Sequence, residues 1–387
     1  MGATNCFSAQ VRVSRRHVVI HVAGGAAAAL GLPTLAISAP KVFRIGSTLD
    51  LTGVEKANGT GLNLGATTYF NALNAAGGIN GVKVELITKD DQFKPEVAKA
   101  NSQAFDSDPS IIALLHPLGT RQTAAAMDAV PAMAIVGPNT GTVALRKKGA
   151  LNTFFVRANY DQEIDKLIET AATLGITRIG LVHPNDPLGQ SLLAAFKVST
   201  AKFNLTPAVI ATTPGTTSPE VQPAVLEIAK VAPQVVIVGL AGTAPLFVRA
   251  LREAGSAATI YGLSITASAT NIKELGDLAR GFGFSIVVPS PYSTKYEIVR
   301  RFQTDTQAAG STEYSLAALE GYINARVLAE GLRRAGANPT RESLVNALSA
   351  IESLDFGGIR IGYSRVKREG SSFVDVAVIG PAGKMLS

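Results

Sequence analysis

The stretch that decides the fold runs from residue 42 to residue 90 and reads VFRIGSTLDLTGVEKANGTGLNLGATTYFNALNAAGGINGVKVELITKD. Its start is typical of a β-strand, and a helical segment follows, with Leu64 and Leu73 among its apolar positions near helical spacing. This helix is predicted to end at the glycine pair that begins at Gly77, because glycine caps helix C-termini. A Val/Ile-rich strand comes next, so the stretch predicts a helix that connects two strands.

The same alternation continues outward along the chain. Short apolar segments such as IIALLHP, AMAIVGP, RIGLVHP and QVVIVGL alternate with helical segments. Continuous Val/Ile-rich strands of this kind belong to parallel sheets that helices cover on both faces. A second set of strands and helices starts near Asp161. The sequence therefore predicts an α/β fold with two doubly wound parallel-sheet lobes.

The sequence of the last third predicts that the chain passes between the two lobes several times, and these crossings form a hinge. Two long helical segments have no strand between them, and a hairpin-like pair, IRIGYSRV and FVDVAVIG, follows. The two prolines of VVPSPYS (287–293) resist helix and stiffen an extended link between lobes. We expect lobe 1 to comprise residues 41–158 and 290–356, and lobe 2 residues 159–289 and 357–387.

Residues 1–39 have the pattern of a signal peptide. Three arginines precede an apolar run from Val18 to Leu35, and small residues follow. The paired arginines at 15–16 also resemble a twin-arginine export signal, so the export route stays open. A transmembrane anchor is the alternative, but Pro33 and the barely sufficient length disfavour it. We expect cleavage near residue 38 or 39 and a mature protein in the periplasm.

The composition excludes several classes of function. The net charge of +7 is dispersed and too small to indicate a nucleic-acid partner. With four His and a single Cys (Cys6), a Cys/His zinc site or a cysteine nucleophile cannot be built in the body. Neither a dinucleotide-binding G-x-G-x-x-G, a P-loop nor a G-x-S-x-G elbow is present. We expect no cofactor, no metal and no enzymatic activity.

A resemblance to a known family is carried by four stretches in order: NALNAAGGINGVKVELITKDDQFKPEVAKAN (71–101), FFVRANYDQEI (154–164), VVPSPYSTKY (287–296) and YSLAALEGYINARVLAEGLRRAG (314–336). With them the chain resembles the type I periplasmic solute-binding proteins, specifically the leucine/isoleucine/valine-binding branch of ABC transporter receptors. The resemblance implies two lobes that close around a small solute, such as an amino acid, a carboxylate or an amide-like compound, and present it to ABC permease subunits. The alternative is a periplasmic ligand sensor of the same fold that feeds a signalling partner, which neighbouring genes would distinguish.

The first lobe offers the head-group site. Ligands of open α/β sheets bind beyond the carboxyl ends of the strands. Leu118, Gly119 and Thr120 follow one strand and open a helix, with Thr120 the expected N-cap, and free N–H groups there receive a carboxylate. The family places carboxylate-binding hydroxyl and amide groups at this loop.

The next turn and the first crossing supply further candidates. Asn139, Thr140, Gly141 and Thr142 follow the strand AMAIVGP, and in relatives this turn offers a backbone carbonyl and a hydroxyl to the ligand. The small Gly141 would permit close backbone approach. At the crossing, the phenol of Tyr160 can stack on a ligand and donate a hydrogen bond.

In the second lobe, the resemblance implies that Leu188, Thr243 and Ser264 face the cleft. Amino-acid-binding relatives carry aromatic side chains at or near the first two places, so both residues depart from the pattern.

The most informative departure concerns the ligand's amine. Those relatives hold the ammonium with an acidic side chain on the turn that here reads GLSIT (262–266), which has no carboxylate. A buried ammonium without a counter-charge would cost several kcal/mol. Either another acid substitutes (Asp50, Glu55 or Asp186), or the ligand lacks a free amine and Ser264 is a neutral hydrogen-bond partner. The sequence favours the second alternative.

Overall fold

Strands and helices alternate as far as β10 in the computed structural model, which describes residues 42–147 and 151–387; the predicted signal peptide lies outside these ranges. Up to the first crossing the elements are β1 (Val42–Leu49), α1 (Lys56–Ala75), β2 (Lys83–Asp90), α2 (Pro95–Ser107), β3 (Ile111–Leu115), α3 (Thr120–Ala129), β4 (Ala134–Val136), α4 (Val143–Lys147) and β5 (Thr153–Phe154). The middle part contains α5 (Tyr160–Thr173), β6 (Ile179–Pro184), α6 (Pro187–Lys202), β7 (Val209–Thr213), α7 (Gln222–Val231), β8 (Val235–Val238), α8 (Ala244–Glu253), β9 (Thr259–Gly262), α9 (Ala269–Leu275) and β10 (Gly283–Ile286). The last part contains α10 (Glu297–Ala308), α11 (Leu316–Ala335), α12 (Arg341–Ser349), β11 (Leu354–Asp355), β12 (Arg360–Ile361), β13 (Asp375–Ile379) and β14 (Met385–Leu386). No helix in the described ranges is long and apolar enough to cross a membrane.

Two large sheets organise these elements. The first is parallel, with strand order β2-β1-β3-β4-β5, and the second has the order β14-β13-β10-β9-β8-β6-β7. In the second sheet the β10–β13 and β13–β14 pairs are antiparallel, and the other pairs are parallel. Every residue of β4 and β8 is buried, as expected for strands that helices cover on both faces. The predicted α/β class with two parallel-dominated sheets is confirmed.

The chain returns to the second sheet later than the predicted lobe boundary. Ile359, Ile361 and Tyr363, which the sequence assigned to lobe 2, pack in the hydrophobic core of the first sheet. The Ser371 N–H still donates to the Val156 carbonyl at 2.9 Å, and β13 is the next strand to join the second sheet. We therefore place the return after Ser371 rather than after residue 356, because burial of these apolar side chains holds the segment on the first lobe.

The two closing stretches do not pair with each other as a hairpin. In IRIGYSRV, β12 pairs antiparallel with β11, so that Ile361 lies opposite Leu354. In FVDVAVIG, β13 pairs antiparallel with β10, so that Val378 lies opposite Gly283. Both stretches have strand periodicity, but each pairs with a strand of the lobe in which its own apolar side chains are buried.

Helices α1 and α11 cross closely at Gly65. A Cβ at this position would lie 1.7 Å from the Ala318 carbonyl oxygen, so a side chain fits only if the backbone moves. Although alanine is the better helix former, we expect Gly65→Ala to lower the free energy of unfolding by about 1–3 kcal/mol, measured by urea denaturation. The control is Gly215→Ala, where a Cβ meets nothing within 4 Å and we expect a change within about 0.5 kcal/mol. Equal stability of the two variants would contradict the prediction.

Candidate functional site

A cavity of about 640 Å³ lies where the carboxyl ends of strands from both sheets meet. Its walls are the loops that follow β1, β2, β3 and β4 of the first sheet and β6, β7, β8 and β9 of the second. Six of the predicted site residues line it: Leu118, Gly119, Thr120, Asn139, Tyr160 and Leu188. The other five, Thr140, Gly141, Thr142, Thr243 and Ser264, are not among its lining residues.

Backbone hydrogen bonds hold together the two first-lobe turns. The Asn139 N–H donates to the Pro117 carbonyl at 2.9 Å, and the Gly119 N–H donates to the Asn139 carbonyl at 3.2 Å. These bonds extend the pairing of β3 and β4 beyond the strands, with Leu118 bridged to Asn139. The turns predicted from sequence are therefore brought side by side at one edge of the cavity.

Three threonine hydroxyls from these turns form a triangle. Thr120 Oγ1 lies 2.9 Å from Thr140 Oγ1 and 2.9 Å from Thr142 Oγ1, and the last two lie 3.2 Å apart. Thr120 lines the cavity, whereas Thr140 and Thr142 are buried behind it and orient its hydroxyl. Thr120 is not the N-cap of α3 as predicted, because Gly119 takes that place with a φ of 100° that favours glycine.

Gly141 makes room for Tyr160 rather than for the ligand. A Cβ on Gly141 would lie 2.6 Å from the Tyr160 ring, and the Gly141 carbonyl accepts the Tyr160 N–H at 2.9 Å. The capping box of Asn159 and Gln162 starts α5 at this point. The Tyr160 ring is thereby held against the turn with one side on the cavity, and burial raises the pKa of its phenol.

The second lobe contributes an aliphatic rather than an aromatic wall. Leu188, in the first turn of α6, is buried and lines the cavity together with Ala241 and Ile265. Thr243 is the N-cap residue of α8, and its hydroxyl has no hydrogen-bond partner among the described residues. Apart from Tyr160 at the crossing, no aromatic side chain from the second lobe occurs among the lining residues that the structure describes, in agreement with the departures at Leu188 and Thr243.

Of the three acids considered as substitutes, Glu55 lines the cavity and accepts the fewest hydrogen bonds, one at each carboxyl oxygen. Asp50 is fully buried, and its oxygens accept the backbone N–H groups of Thr52, Gly53 and Glu55. Asp186 lines the cavity but accepts from the Gly189 N–H and from the backbone and hydroxyl of Thr216.

Glu55 also joins the two lobes. It follows β1, its Oε1 accepts the Gly242 N–H of the second lobe at 2.6 Å, and its Oε2 accepts from Asn58 Nδ2 at 2.8 Å. Burial raises the pKa of Glu55 to about 7, with a smaller contribution from Asp50, although the bonds from Asn58 and Gly242 oppose the rise. This carboxyl group therefore titrates near neutral pH in the arrangement described.

Sequence reasoning considered the loop after β1 only as a source of substitute acids and missed the loop after β2. Asn58 and Phe93 line the cavity, and Gln122 Nε2 donates to the Phe93 carbonyl at 2.6 Å, which fixes the second loop to α3. The rule that ligands bind beyond strand carboxyl ends could have found both loops, since β1 and β2 end immediately before them.

A charged cluster is buried beneath the cavity at the hinge. Arg157 Nη2 lies 3.2 Å from Glu163 Oε1, and Arg157 Nη1 lies 3.5 Å from Glu320 Oε1. Glu163 also accepts from the Ser264 N–H at 2.9 Å, the Ser264 hydroxyl at 3.1 Å and the Ser285 hydroxyl at 2.7 Å. Ser264 thus lies on a turn to which α5 and α11 bring the carboxylates that its own sequence lacks. No group of three or more possible metal-ligating His, Cys, Asp or Glu side chains occurs in residues 42–147 and 151–387.

Comparison with known proteins agrees with this architecture. The model of the periplasmic binding protein family matches residues 42–382. A solved substrate-binding periplasmic protein from Ralstonia solanacearum is 32% identical, with a TM-score of 0.81, and the match covers 89% of this chain and 99% of that one. A possible leucine/isoleucine/valine-binding protein from Rhodopirellula baltica has a TM-score of 0.84 at 21% identity, over 90% of this chain and 96% of that one.

A curated relative adds a shorter match. An amino acid binding protein from Pseudomonas aeruginosa is 24% identical over 160 residues, which are 40% of this chain and 42% of that protein. The chain therefore aligns with about two fifths of this relative's length. The match to the family model, in contrast, extends over most of the chain and includes the first sheet, every strand of the second sheet except β14, and the cavity between them. The chain belongs to the type I periplasmic binding proteins.

Proposed function

We propose that the protein is the extracytoplasmic substrate-binding subunit of an ABC importer, which closes two lobes around a small polar solute. The observation that carries this proposal is the cavity of about 640 Å³ built from the strand ends of both sheets, with Glu55 bonded across it to the Gly242 N–H. A cavity of this size suits a small molecule. The family relation supports the extracytoplasmic location and the role in transport.

The cavity offers both polar and apolar groups to such a solute. The first N–H groups of α3 have no partner within the helix and lie beside the Thr120 hydroxyl, an arrangement that suits a carboxylate or another oxygen acceptor. Phe93, Leu188 and Ile265 also line the wall and exclude water from the body of the solute.

Binding follows from the difference between the open and closed states. A solute that docks on the first lobe gains the contacts of Leu188, Ala241 and Ile265 only when the second lobe closes over it. It shifts the equilibrium toward the closed state by its difference in affinity for the two states, and by no more.

A thermal-shift screen tests the proposal. The purified protein is heated with amino acids, aliphatic and aromatic carboxylates, and amides in turn. A solute present at about 100 times its Kd should stabilise the fold by about 2.7 kcal/mol, which raises the melting midpoint measurably. Turnover of a solute during incubation, or a panel without any stabilising solute, would count against a binding subunit.

Thr120→Ala should weaken binding of the solute found in this screen by about 1.5–3 kcal/mol if the head group is charged. The reason is that Thr120 lines the cavity, whereas Thr140 and Thr142 are buried behind it and only hydrogen-bond to its hydroxyl. Titration calorimetry gives the affinities, and we expect Thr140→Ala to have the smaller effect. A larger loss in Thr140→Ala than in Thr120→Ala, with both variants folded, would show that the head group binds elsewhere.

A further inference from the structure

A second cavity, of about 830 Å³, lies between the two lobes beside the hinge, and we call it the hinge cavity. One wall belongs to the second lobe and consists of α9 and the segment around β14, including Ile272 and Met385. Another wall belongs to the first lobe and consists of Tyr292, which lies between β10 and α10, and the start of α11. The hinge cavity shares no lining residue with the cavity lined by Thr120, which we call the main cavity.

Leu316 shows that the two lobes meet at the hinge cavity. Its side chain lines the cavity and packs against the hydrophobic core of the first sheet and against that of the second. When the lobes rotate about the hinge, these walls move relative to each other, so the cavity keeps its shape only at one lobe angle. At that angle the Glu55 carboxylate also accepts the Gly242 N–H across the main cavity. A molecule that fills the hinge cavity therefore contacts both lobes and stabilises this arrangement.

The walls of the hinge cavity are mostly apolar. Ile272, Leu316 and Met385 contribute aliphatic and thioether surface. The Tyr292 ring packs edge-on against Tyr314 with 5.9 Å between centroids, and its hydroxyl donates to the Tyr314 carbonyl at 3.0 Å. Tyr292 is nevertheless 56% exposed. This aromatic side chain is thus held in place with one side uncovered, as expected of a wall that receives the apolar body of a ligand.

The charged groups of the hinge cavity favour an anion. Lys273, in the last turn of α9, and Lys384, just before β14, both line it, and the one acid among its lining residues is Asp277. Neither ammonium group forms an ion pair within the part of the chain that the structure describes. The lining residues therefore carry one positive charge in excess. A carboxylate at this place would accept charge-assisted hydrogen bonds from the lysines while its apolar body covers the remaining walls.

We propose that the hinge cavity binds an amphipathic carboxylate other than the transported solute, and that its occupation strengthens solute binding in the main cavity. This inference rests on the proposed function and adds regulation to it. Both molecules favour the same arrangement of the lobes, so each increases the affinity for the other by the same factor. Coupling of this kind is typically worth roughly 5- to 150-fold in affinity.

Binding at the hinge cavity is tested first, without any solute. Decanoate and naphthalene-2-carboxylate are the probes, and decanamide and naphthalene-2-carboxamide have the same apolar bodies without the charge. We expect at least one carboxylate to bind to a single site, roughly 5- to 20-fold more tightly than its amide, because only the carboxylate interacts with the two ammonium groups. Titration calorimetry of the purified protein gives the affinities and the stoichiometry.

Variants assign the probe to this cavity. The double variant Lys273→Gln, Lys384→Gln should bind the carboxylate no more tightly than the amide, while its affinity for the amide stays within about twofold of the unmodified protein. Lys230→Gln is the matched control, because Lys230 is likewise an exposed lysine in the last turn of a helix, α7, and it should bind like the unmodified protein. Tyr292→Ala removes apolar wall and should weaken the carboxylate and the amide alike. Melting curves establish that each variant is folded.

Coupling to the main cavity is tested with the solute found in the thermal-shift screen. A probe concentration that saturates the unmodified protein should raise its affinity for the solute roughly 5- to 150-fold. In the double lysine variant the same probe concentration should have a smaller effect. Without the probe, the solute affinity of this variant should stay within about twofold of that of the unmodified protein, because neither lysine lines the main cavity.

Each failure has its own signature. If the probes do not bind, or bind the double lysine variant as tightly as the unmodified protein, the hinge cavity is not a carboxylate site, and the inference is overturned while the proposed function stands. If probe and solute exclude each other, the probe occupies the main cavity, and the inference is overturned in the same way. If the probe binds at the hinge cavity but leaves the solute affinity unchanged, the regulation is overturned. If no solute binds in the wider screen, the proposed function fails, and the regulation fails with it, whereas binding of the probe is decided separately.

Discussion

Replacing Arg157 with methionine is expected to lower the free energy of unfolding by about 3–5 kcal/mol at pH 7. Arg157 is 3% exposed and lies between the carboxylates of Glu163 and Glu320, at 3.2 and 3.5 Å. Burial by itself would lower the pKa of Arg157, but the two carboxylates outweigh it and hold this pKa above its ordinary value. Methionine keeps much of the apolar stem but leaves two buried carboxylates without their cation. Urea denaturation of the purified variant measures the loss.

The control for this prediction is an exposed ion pair of similar geometry. Arg44 Nε lies 3.0 Å from Glu85 Oε2, but the two side chains are 47% and 51% exposed, so Arg44→Met should cost less than about 1 kcal/mol. The loss in Arg157→Met should also shrink as the pH falls, because burial raises the pKa of Glu320, and its protonated carboxyl group no longer needs the cation. Equal losses in the two variants would show that the buried cluster contributes no more than a surface pair.

Closure of the lobes should become more favourable as the pH falls from about 7 to about 4.5. In the arrangement described, burial raises the pKa of Glu55 to about 7 from an ordinary value of 4.5. In an open protein, water would reach this group and return its pKa toward the ordinary value, so closure takes up a proton between these two pH values. The closed-to-open ratio should rise about tenfold per pH unit on acidification, and about 300-fold in total, which corresponds to about 3.4 kcal/mol. Above pH 7 the ratio should be constant, since Glu55 is then ionised in both states.

This prediction can be tested without knowing the solute. Cys6 is the only cysteine and lies in the predicted signal peptide, so cysteines placed at the exposed positions Gln103 and Val198 can carry spin labels on α2 and α6. The distance distribution between the labels is measured at several pH values. Glu55→Gln should abolish the pH dependence, whereas Glu96→Gln, at another acid that lines the cavity, should retain it. A population of closed protein that grows as the pH rises would contradict the assignment.

The lobe architecture was predictable because it depends on short-range patterns. Continuous Val/Ile runs such as VVIV at 235–238 can only be buried on both faces, and the helices between them require parallel connections. The end of α1 before Gly77 was also predictable, because the positive φ that follows the helix there is a local preference of glycine. Turns that follow such strands meet at one edge, which is why six of the predicted residues line a single cavity.

The lobe boundary and the pairing of the closing strands were not predictable in this way. β12 and β13 have similar strand periodicity, yet β12 pairs on the first lobe and β13 on the second. Strand periodicity indicates that one face of a strand is buried, but it does not indicate which of the two hydrophobic cores this face packs against. That choice depends on contacts such as those of Ile361 with the first core, which form between segments distant in sequence.

By itself, the sequence determined the class of the protein: two parallel-sheet lobes, turns rich in hydroxyl groups at the strand ends, and a second-lobe turn that lacks an acid. Only the tertiary structure decided the electrostatics of the site. It buried Thr140 and Thr142 behind Thr120, and it brought Glu320 from α11 to the turn of Ser264. The physical reason is that periodicity and capping act over a few residues, whereas burial and charge pairing depend on which distant segments share the same poorly hydrated space.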